Sequence, residues 1–488
     1  MLHSVKFIVG LAFFLVLTAC SEDDDLQLFE PTSDDVDVQD FMWAAMNEWY
    51  FWQQEVPDLA DNRFSGNQAY TEFLQATPDP EDFIQSLLFS EDRFTFWRED
   101  IDDLVNSLSG VSKSNGLQFF TVDLTNDTTS NFFLFIRNVI PGSDAFNKGI
   151  RRGDVIYQID GQAITSNNLN ALLEPDTYTV SLGELDVANR LVHPTTETVS
   201  LTKVENFQED PIRLATTLDV NGQKIGYLMY QRFNRDFNDL LNDAFGQFLA
   251  DGVTDLVLDM RYNPGGSVNT SRLLASMIYG TNTNDLYIRQ RWNDKQQENR
   301  TSEQLEDFFA DAVRSGVPLN SLELPRVYVL TTTRTASASE LVMNGLDPYV
   351  QIIQIGTTTR GKNEFSITLV DDPGNNYVFS TSRQNQINAN NRWALQPLTG
   401  RNENSVGFLD YTAGFTPDFE VVEDVFLLGT FGNPNEPLLA KALEEITGVA
   451  SKSGLQAIDL PPKAHTIIGY DTPAQELMVL DKPLQIMQ

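Results

Sequence analysis

The sequence has very few of the side chains that most hydrolases use as bases or metal ligands. It contains one cysteine, Cys20, and three histidines, His3, His193 and His465. A single cysteine excludes an internal disulfide and a cysteine-based metal site. The histidines do not lie near a nucleophile-like motif, and no His-Glu-x-x-His pair occurs, so neither a Ser-His-Asp triad nor zinc hydrolysis is expected. Any hydrolytic site in this chain needs a base other than histidine.

Positive charge is also scarce. The 488 residues include 33 Lys and Arg against 69 Asp and Glu, a formal net charge of −36. A chain this acidic repels phosphate backbones, so we expect no nucleic-acid partner. Neither a GxxxxGK[ST] nor a GxGxxG run occurs, and no cofactor is predicted. The length suggests two to four domains, and the 41% of hydrophobic residues allows a large core.

The first twenty residues have the pattern of a targeting segment. Lys6 precedes an apolar run over residues 7–17, which is too short to span a membrane comfortably. The run ends in Leu-Thr-Ala-Cys at Cys20, which resembles a bacterial lipobox. The resemblance implies cleavage after residue 19, lipidation of Cys20 and an outer-membrane lipoprotein facing the periplasm or the cell surface. An ordinary secretory signal and a buried helix are the alternatives.

The next residues change character twice. Residues 21–40 hold nine acids and no base, which predicts a solvated tether over residues 20–38. The acidic run after Cys20 resembles the surface-export signal of some Bacteroidetes lipoproteins, and a simple spacer is the alternative.

A helical, aromatic-rich domain is then predicted over residues 39–109. Its apolar side chains share one helix face: Phe41, Met42, Ala45, Met46, Trp49 and Tyr50. The aromatic run Trp49 to Trp52 is interpreted as core rather than as a ligand platform.

Period-two patterning predicts a β-rich domain over residues 110–206, with strands at 117–122, 131–137, 154–159, 178–182 and 197–204. The run from Val139 to Gly161, with PGSDA, GI and GDVIYQIDG, resembles a PDZ domain. The resemblance implies that a loop and strand bind the terminal carboxylate of a peptide and add it to the sheet edge; these residues are Gly116, Leu117, Gln118 and Phe119. A purely structural β-domain is the alternative.

Strands alternate with helices over residues 216–449, which predicts a buried parallel or mixed sheet. The expected strands are 224–230, 254–260, 326–331 and 351–355, and the expected helices are 237–249, 270–279 and 339–346. The remaining residues, 450–488, contain Pro461-Pro462 and little periodicity. They predict an irregular surface extension or partial disorder.

Three segments of this region carry candidate chemistry. The strand 326–331 runs into Thr-Ala-Ser-Ala-Ser-Glu, where Ser337 lies at a strand-to-helix junction and is either a nucleophile or a helix cap. Lys362 follows a later strand, and a desolvated lysine can accept a proton from serine. The turn Asn-Pro-Gly-Gly places Gly265 and Gly266 where backbone N–H groups can approach a substrate.

Together these segments resemble the C-terminal processing (tail-specific) protease family over about residues 110–448. The resemblance implies a serine endopeptidase with Ser337 as nucleophile, Lys362 as base, and oxyanion donors at the N–H groups of Ala338 and of Gly265 or Gly266. It also implies an acyl-enzyme intermediate, polypeptide C-termini as substrates, and an α+β multidomain fold. In that fold a helical N-terminal domain and a PDZ domain precede a crotonase-like α/β core.

The sequence departs from the family at one position. Many members carry Gln four residues after the lysine, where this chain has Ser366, while Glu364 lies two residues after it. The third catalytic member is therefore Ser366 or Glu364, or the site has no third member. Glu340 has two readings: it is either a partner of a base or a first-turn helix acid. Two alternative functions follow: a catalytically inactive PDZ-based peptide-binding lipoprotein, and an acyl hydrolase acting on small molecules.

Overall fold

The structure is a computed structural model, which describes residues 29–124, 132–314, 316–449 and 477–480. The predicted signal with Cys20, residues 20–28 of the predicted tether, and most of the extension after residue 449 lie outside the described residues. The other part of the predicted tether, residues 29–38, is not a solvated spacer. Val36 is buried, and the ring of Phe29 packs against that of Trp43 with their centroids 6.4 Å apart. Among the helices that are described, each is too short or too polar to cross a lipid bilayer.

The N-terminal part is helical, as predicted. Its elements are α1 (Asp37–Trp49), α2 (Asn67–Gln75), α3 (Pro80–Ser86), β1 (Phe96–Arg98) and α4 (Ile101–Leu108). The predicted apolar face of α1 is buried, and Tyr50, directly after the helix, is buried with it. This face joins the same hydrophobic cluster as the large sheet described below. The aromatic side chains are therefore core, and they attach this part to the rest of the molecule.

A β-rich part follows. Its elements are β2 (Val111–Ser114), β3 (Leu117–Asp123), β4 (Phe132–Val139), α5 (Asp144–Asn147), β5 (Val155–Ile159), β6 (Gln162–Ala163), α6 (Leu169–Leu173), β7 (Thr177–Asp186), β8 (Leu191–Thr202) and β9 (Val204–Gln208). The strands pair in the order β3-β4-β5-β7-β8, with β6 beside β5 and a separate β2-β9 ribbon. All five predicted strands are present, and β3 lies at the edge of the sheet.

The third part is the largest. Its helices are α7 (Asn238–Asp251), α8 (Val268–Tyr279), α9 (Asp294–Glu298), α10 (Ser302–Leu305), α11 (Ala338–Leu346) and α12 (Pro437–Thr447). Its strands are β10 (Ile212–Val220), β11 (Gln223–Tyr230), β12 (Asp255–Asp259), β13 (Gly265–Ser267), β14 (Leu286–Trp292), β15 (Glu306–Phe308), β16 (Ala312–Arg314), β17 (Val317–Pro318), β18 (Arg326–Thr331), β19 (Gln351–Gly356), β20 (Glu364–Ser366), β21 (Leu369–Val370), β22 (Ala394–Gln396), β23 (Leu398–Glu403), β24 (Phe419–Glu420) and β25 (Leu477–Val479).

The main sheet has the order β10-β11-β12-β18-β19-β24, and its strands are parallel from β11 onward. Strand β12 shows why the strands of this sheet have continuous apolar runs in their sequences. Leu256 and Leu258 pack into the core with helices α7, α8 and α11, whereas Val257 packs into the core with α12. Both faces of the sheet are covered, so alternation of polar and apolar residues is not needed. The predicted buried sheet is confirmed.

A second six-stranded sheet has the order β13-β25-β20-β23-β14-β15. The strand β25 corrects the prediction for the chain beyond residue 449. We expected an irregular surface extension, but Leu477–Val479 is a paired strand and Met478 is fully buried. A three-residue strand has too few residues to produce a visible period, and its pairing partners are more than a hundred residues away in sequence.

Candidate active site

Ser337 lies in the loop between β18 and α11, immediately before the first residue of the helix. Its backbone has φ 63° and ψ −116°, outside the extended conformation of an ordinary helix cap. Positive φ is uncommon for residues other than glycine, and such strain is concentrated at functional sites. The side chain is fully buried. Ser337 and Glu340 form a capping box, in which Oγ of Ser337 faces the backbone N–H of Glu340. Oγ has no hydrogen-bond partner of normal geometry among the described residues.

Hydrogen bonds join this loop to the Asn-Pro-Gly-Gly turn. The N–H of Ala336 donates to the carbonyl of Asn263 at 3.1 Å, and the Oγ of Ser339 donates to the same carbonyl at 3.0 Å. These two bonds flank Ser337 on either side in sequence. The structure thus brings the predicted nucleophile and the predicted glycine turn together, although more than seventy residues separate them.

The two glycines of the turn differ in their roles. The N–H of Gly265 donates to Oδ1 of Asn263 at 2.9 Å, so it closes the turn. Gly266 has φ 139°, and a Cβ at this position would lie 2.3 Å from the carbonyl oxygen of Phe233. Only glycine allows the two backbones to approach this closely.

Glu340, in the first turn of α11, connects the backbones of Ser337 and Lys362. Its Oε2 accepts the N–H groups of Ser337 at 2.8 Å and of Lys362 at 2.9 Å. Its Oε1 accepts the N–H of Gly361 at 2.7 Å and the hydroxyl of Thr359 at 2.6 Å. Burial raises the pKa of Glu340 to about 7, although the four hydrogen bonds oppose the rise.

The side chain of Lys362 is enclosed by the N-terminal part of the chain. The residue is 1% exposed, and its Nζ lies 4.9 Å from the ring centroid of Phe94. The neighbouring Arg93 donates to the carbonyl of Gly361. Sequence reasoning missed Phe94, because nothing in its local pattern distinguishes it from the other core aromatics.

The two candidates for a third catalytic member, Ser366 and Glu364, bind side chains of other segments. The Oγ of Ser366 accepts from Nε2 of Gln396 at 2.9 Å, and Glu364 forms an ion pair with Arg401 at 2.9 Å. Glu340 is a first-turn helix acid, as one reading of the sequence had it. It also accepts the backbone N–H of Lys362, so it contacts the main chain of the proposed base, in line with the other reading.

A buried ionic cluster is centred on Arg261, which lies shortly before the glycine turn in sequence. Sequence reasoning also missed this cluster. Arg261 is fully buried and pairs with Asp259 at 2.8 Å, Glu436 at 2.6 Å and Glu423 at 3.0 Å. Glu423 also accepts from Arg152 of the β-rich part at 2.8 Å. The ion pairs therefore link the turn to the β-rich part of the chain as well as to the residues around the start of α12.

The predicted peptide-binding loop is built as a tight turn before β3. Gly116 has φ 86°, and a Cβ there would overlap the Oγ of Ser143. The N–H of Gly116 donates to Oγ of Ser114 at 3.0 Å, and the N–H of Leu117 donates to Oδ1 of Asn115 at 3.3 Å. Following residues face the rest of the molecule: Gln118 donates to Glu209 at 3.3 Å, and Phe119 packs against the core of the β-rich part.

A cavity of about 410 Å³ opens beside the glycine turn. Its walls come from α4, from the loop 232–236 that precedes α7, from Gly266 and Ser267, and from Val479 and Leu480 after β25. The cavity meets the candidate site at Gly266 and Ser267, and neither Ser337 nor Lys362 is among the residues that line it. A strained serine and a buried lysine joined to a glycine turn are residue types suited to nucleophilic attack on a carbonyl group.

Comparison with known proteins agrees with this chemistry. Residues 224–397 match the model of "Peptidase family S41", and residues 37–96 match "Peptidase S41 N-terminal domain". Two separate parts of the chain are thus similar to this family, in agreement with the resemblance seen in its motifs. The second match lies within the helical part before residue 97.

Individual relatives share less than 30% of their residues with this chain. The chain is 26% identical over 272 residues to a chloroplastic C-terminal processing peptidase of Tetradesmus obliquus, covering 51% of this chain and 52% of the relative. It is 28% identical over 227 residues to a carboxyl-terminal-processing protease of Picosynechococcus sp., covering 46% and 49%. The chain thus spans about half the length of the curated relatives it matches. A crystal structure described as a "Putative S41 protease" from Bacteroides fragilis is 28% identical, with a TM-score of 0.66 over 83% of this chain and 97% of the other.

Proposed function

We propose that the protein is a serine endopeptidase in which Ser337 is the nucleophile and Lys362 is the general base. The observation that carries the proposal is the single buried oxygen of Glu340 that accepts the N–H groups of both residues. A carboxylate in this position fixes the backbone of the nucleophile relative to that of the base. Such positioning is a large part of catalysis by a dyad.

The reaction follows from these positions. The neutral amine of Lys362 takes the proton of the Ser337 hydroxyl while Oγ attacks the scissile carbonyl carbon. The oxyanion is stabilised by the N–H of Ala338, at the first residue of α11, and by the N–H of one glycine of the Gly265-Gly266 pair. The C–N bond then breaks, the lysine ammonium protonates the leaving amine, and water hydrolyses the acyl-enzyme. No cofactor takes part in this proposal.

The substrates we propose are polypeptides with an unstructured, apolar C-terminus. The edge strand β3 and the loop at Gly116 support this, since a peptide can pair with the edge and place its carboxylate at the loop. The N–H groups of Gly116 and Leu117 currently donate to side chains of the same loop. A bound carboxylate would replace those side chains as acceptor.

We also propose that Cys20 carries a lipid and that the enzyme acts at the outer membrane. Support comes from the lipobox-like sequence and the acidic run that follows it. Labelling cells with a radioactive fatty acid tests this proposal, with Cys20→Ala as the control. Unlabelled parent protein would contradict it.

The activity is tested with the chain beginning at residue 21 and an unfolded protein ending in apolar residues. Fragments are identified by mass spectrometry. We expect Ser337→Ala and Lys362→Ala to lose cleavage, whereas the control variants Ser86→Ala, on an exposed helix position, and Lys148→Ala, in an exposed ion pair, retain it. Cleavage by Ser337→Ala at the parent rate would exclude the proposed nucleophile.

C-terminal recognition is tested separately. One peptide is prepared with a free carboxylate and again with a C-terminal amide. We expect the amide to bind at least ten-fold more weakly. Equal binding of the two forms would place recognition elsewhere on the chain.

A further inference from the structure

The strand β25 lies between two strands that each follow a candidate catalytic element. Its neighbour on one side is β13, which begins at Gly265 in the oxyanion turn. Its neighbour on the other side is β20, which begins two residues after Lys362. In the described residues, β13 and β20 do not pair with each other, and β25 fills the one-strand space between them.

The tail strand runs parallel to both neighbours. Met478 is level with Gly266, and Val479 is level with Ser267 on one side and Ser366 on the other. An extended polypeptide that passes the catalytic residues would lie in this same strand position. Main-chain pairing with β13 and β20 would hold any sequence, so the position accepts an extended chain without demanding a particular one.

The side-chain contacts define what the position prefers. Met478 is fully buried in the main core, and its sulfur accepts from Nδ2 of Asn402 at 3.1 Å. Val479 and Leu480 are partly exposed and line the 410 Å³ cavity. The position therefore takes an apolar side chain in a closed site, followed by apolar residues toward a partly open cavity.

The tail is held weakly on the β20 side. The hydroxyl of Ser366 donates to the carbonyl of Met478 at 3.4 Å, and the N–H of Leu480 donates to the carbonyl of Ser366 at 3.4 Å. Both distances are longer than the 2.7–3.2 Å of ordinary protein hydrogen bonds. Among the described tail residues 477–480, three are paired in the sheet, so exchange of this segment for another extended chain needs few of these bonds to break.

We propose that residues 477–480 are an internal competitor that occupies the substrate-strand position between β13 and β20. The inference rests on the proposed function, because it names that site's substrate position. A polypeptide substrate with an apolar residue for the Met478 site must displace the tail before it reaches Ser337. The chain's own tail thereby lowers activity toward weakly binding polypeptides.

The test measures binding without catalysis. A fluorescent peptide with the sequence of residues 475–482, QELMVLDK, is titrated by anisotropy into Ser337→Ala and into Ser337→Ala with Met478→Glu. The glutamate cannot be buried without cost, so the tail leaves its position. We expect the double variant to bind the peptide at least ten-fold more tightly. Val406→Glu, which adds the same charge at an exposed site, is the matched control and should bind as Ser337→Ala does.

A second variant, a chain ending at residue 476, removes the tail without adding charge and is measured in the same way. Thermal unfolding verifies that each variant is folded. Tighter binding by either folded variant supports the proposal, even if hydrolysis by the parent is never observed. Unchanged or weaker binding by the folded variants would overturn it and make β25 a fixed part of the sheet.

Discussion

Ser337 and Lys362 donate their backbone N–H groups to the same oxygen of Glu340, at 2.8 and 2.9 Å. The proposed nucleophile and the proposed base belong to different segments of the chain, one before α11 and the other before β20. A single buried carboxylate makes them one structural unit. The relationship gives the first two predictions.

Glu340→Gln is expected to lower kcat by about 10²-fold, which is typical of a small misplacement of catalytic groups. The amide has one acceptor oxygen where the carboxylate has two, so it cannot accept all four donors. KM should change little, because no substrate contact is lost. Steady-state kinetics measures both constants. Glu303→Gln, at an exposed first-turn position of α10, is the control, and equal kcat values for the two variants would contradict the prediction.

Glu340 also predicts how stability depends on pH. Its pKa rises from 4.5 to about 7 on folding, so the folded protein binds more protons than the unfolded chain between these values. The contribution to unfolding free energy is therefore fully present below pH 4.5 and falls as pH rises to 7, by on the order of 3 kcal/mol. Urea unfolding of parent and Glu340→Gln across this range gives the difference. A difference that does not change with pH would show that Glu340 titrates normally.

Gly266→Ala should destabilise the protein and abolish hydrolysis. The added Cβ would lie 2.3 Å from the carbonyl oxygen of Phe233, and the backbone has φ 139°. Gly252→Ala is the matched control, since its φ is 73° but nothing lies within 4 Å of the new Cβ. In the control, the left-handed conformation strains the new alanine, so the unfolding free energy should fall by only about 1–2 kcal/mol. The activity of the control should not change. Equal losses of stability and activity in the two variants would mean that the close approach is unimportant.

Arg261→Met should cost about 3–5 kcal/mol of unfolding free energy. It leaves the carboxylates of Asp259, Glu423 and Glu436 without their shared cation in a buried site. Arg314→Met removes an exposed ion pair with Asp239 and should cost no more than about 1 kcal/mol. Chemical denaturation compares the two. Similar costs would show that water reaches the cluster around Arg261.

Much of the fold could be predicted from periodicity. The buried strands β11, β12, β18 and β19 and the helices α7, α8 and α11 were each predicted to within two residues at either end, because apolar runs and their turns are local signals. Ser337, Lys362 and the glycine pair were also found, since each lies at a strand end with a recognisable local motif. The direct roles of these residues stay predictions.

The remaining features depend on contacts between distant segments. Phe94 beside Lys362, Arg261 among three carboxylates, and β25 between β13 and β20 have no local pattern that marks them. Glu340 was noticed as a helix acid, but its bonds to Lys362 and Gly361 appear only when α11 meets the loop before β20. Long-range packing decides these features, and a single sequence does not report it.

The ring of Phe94 against the amine of Lys362 has a consequence for how the chain can be divided. A fragment that starts at β10 would contain Ser337, Lys362 and the whole main sheet, yet it would lack the ring that helps to enclose the lysine. The surroundings of Lys362 are thus built from segments that are discontinuous in sequence. An engineer who shortens this chain must carry the segment around Phe94 along with the core.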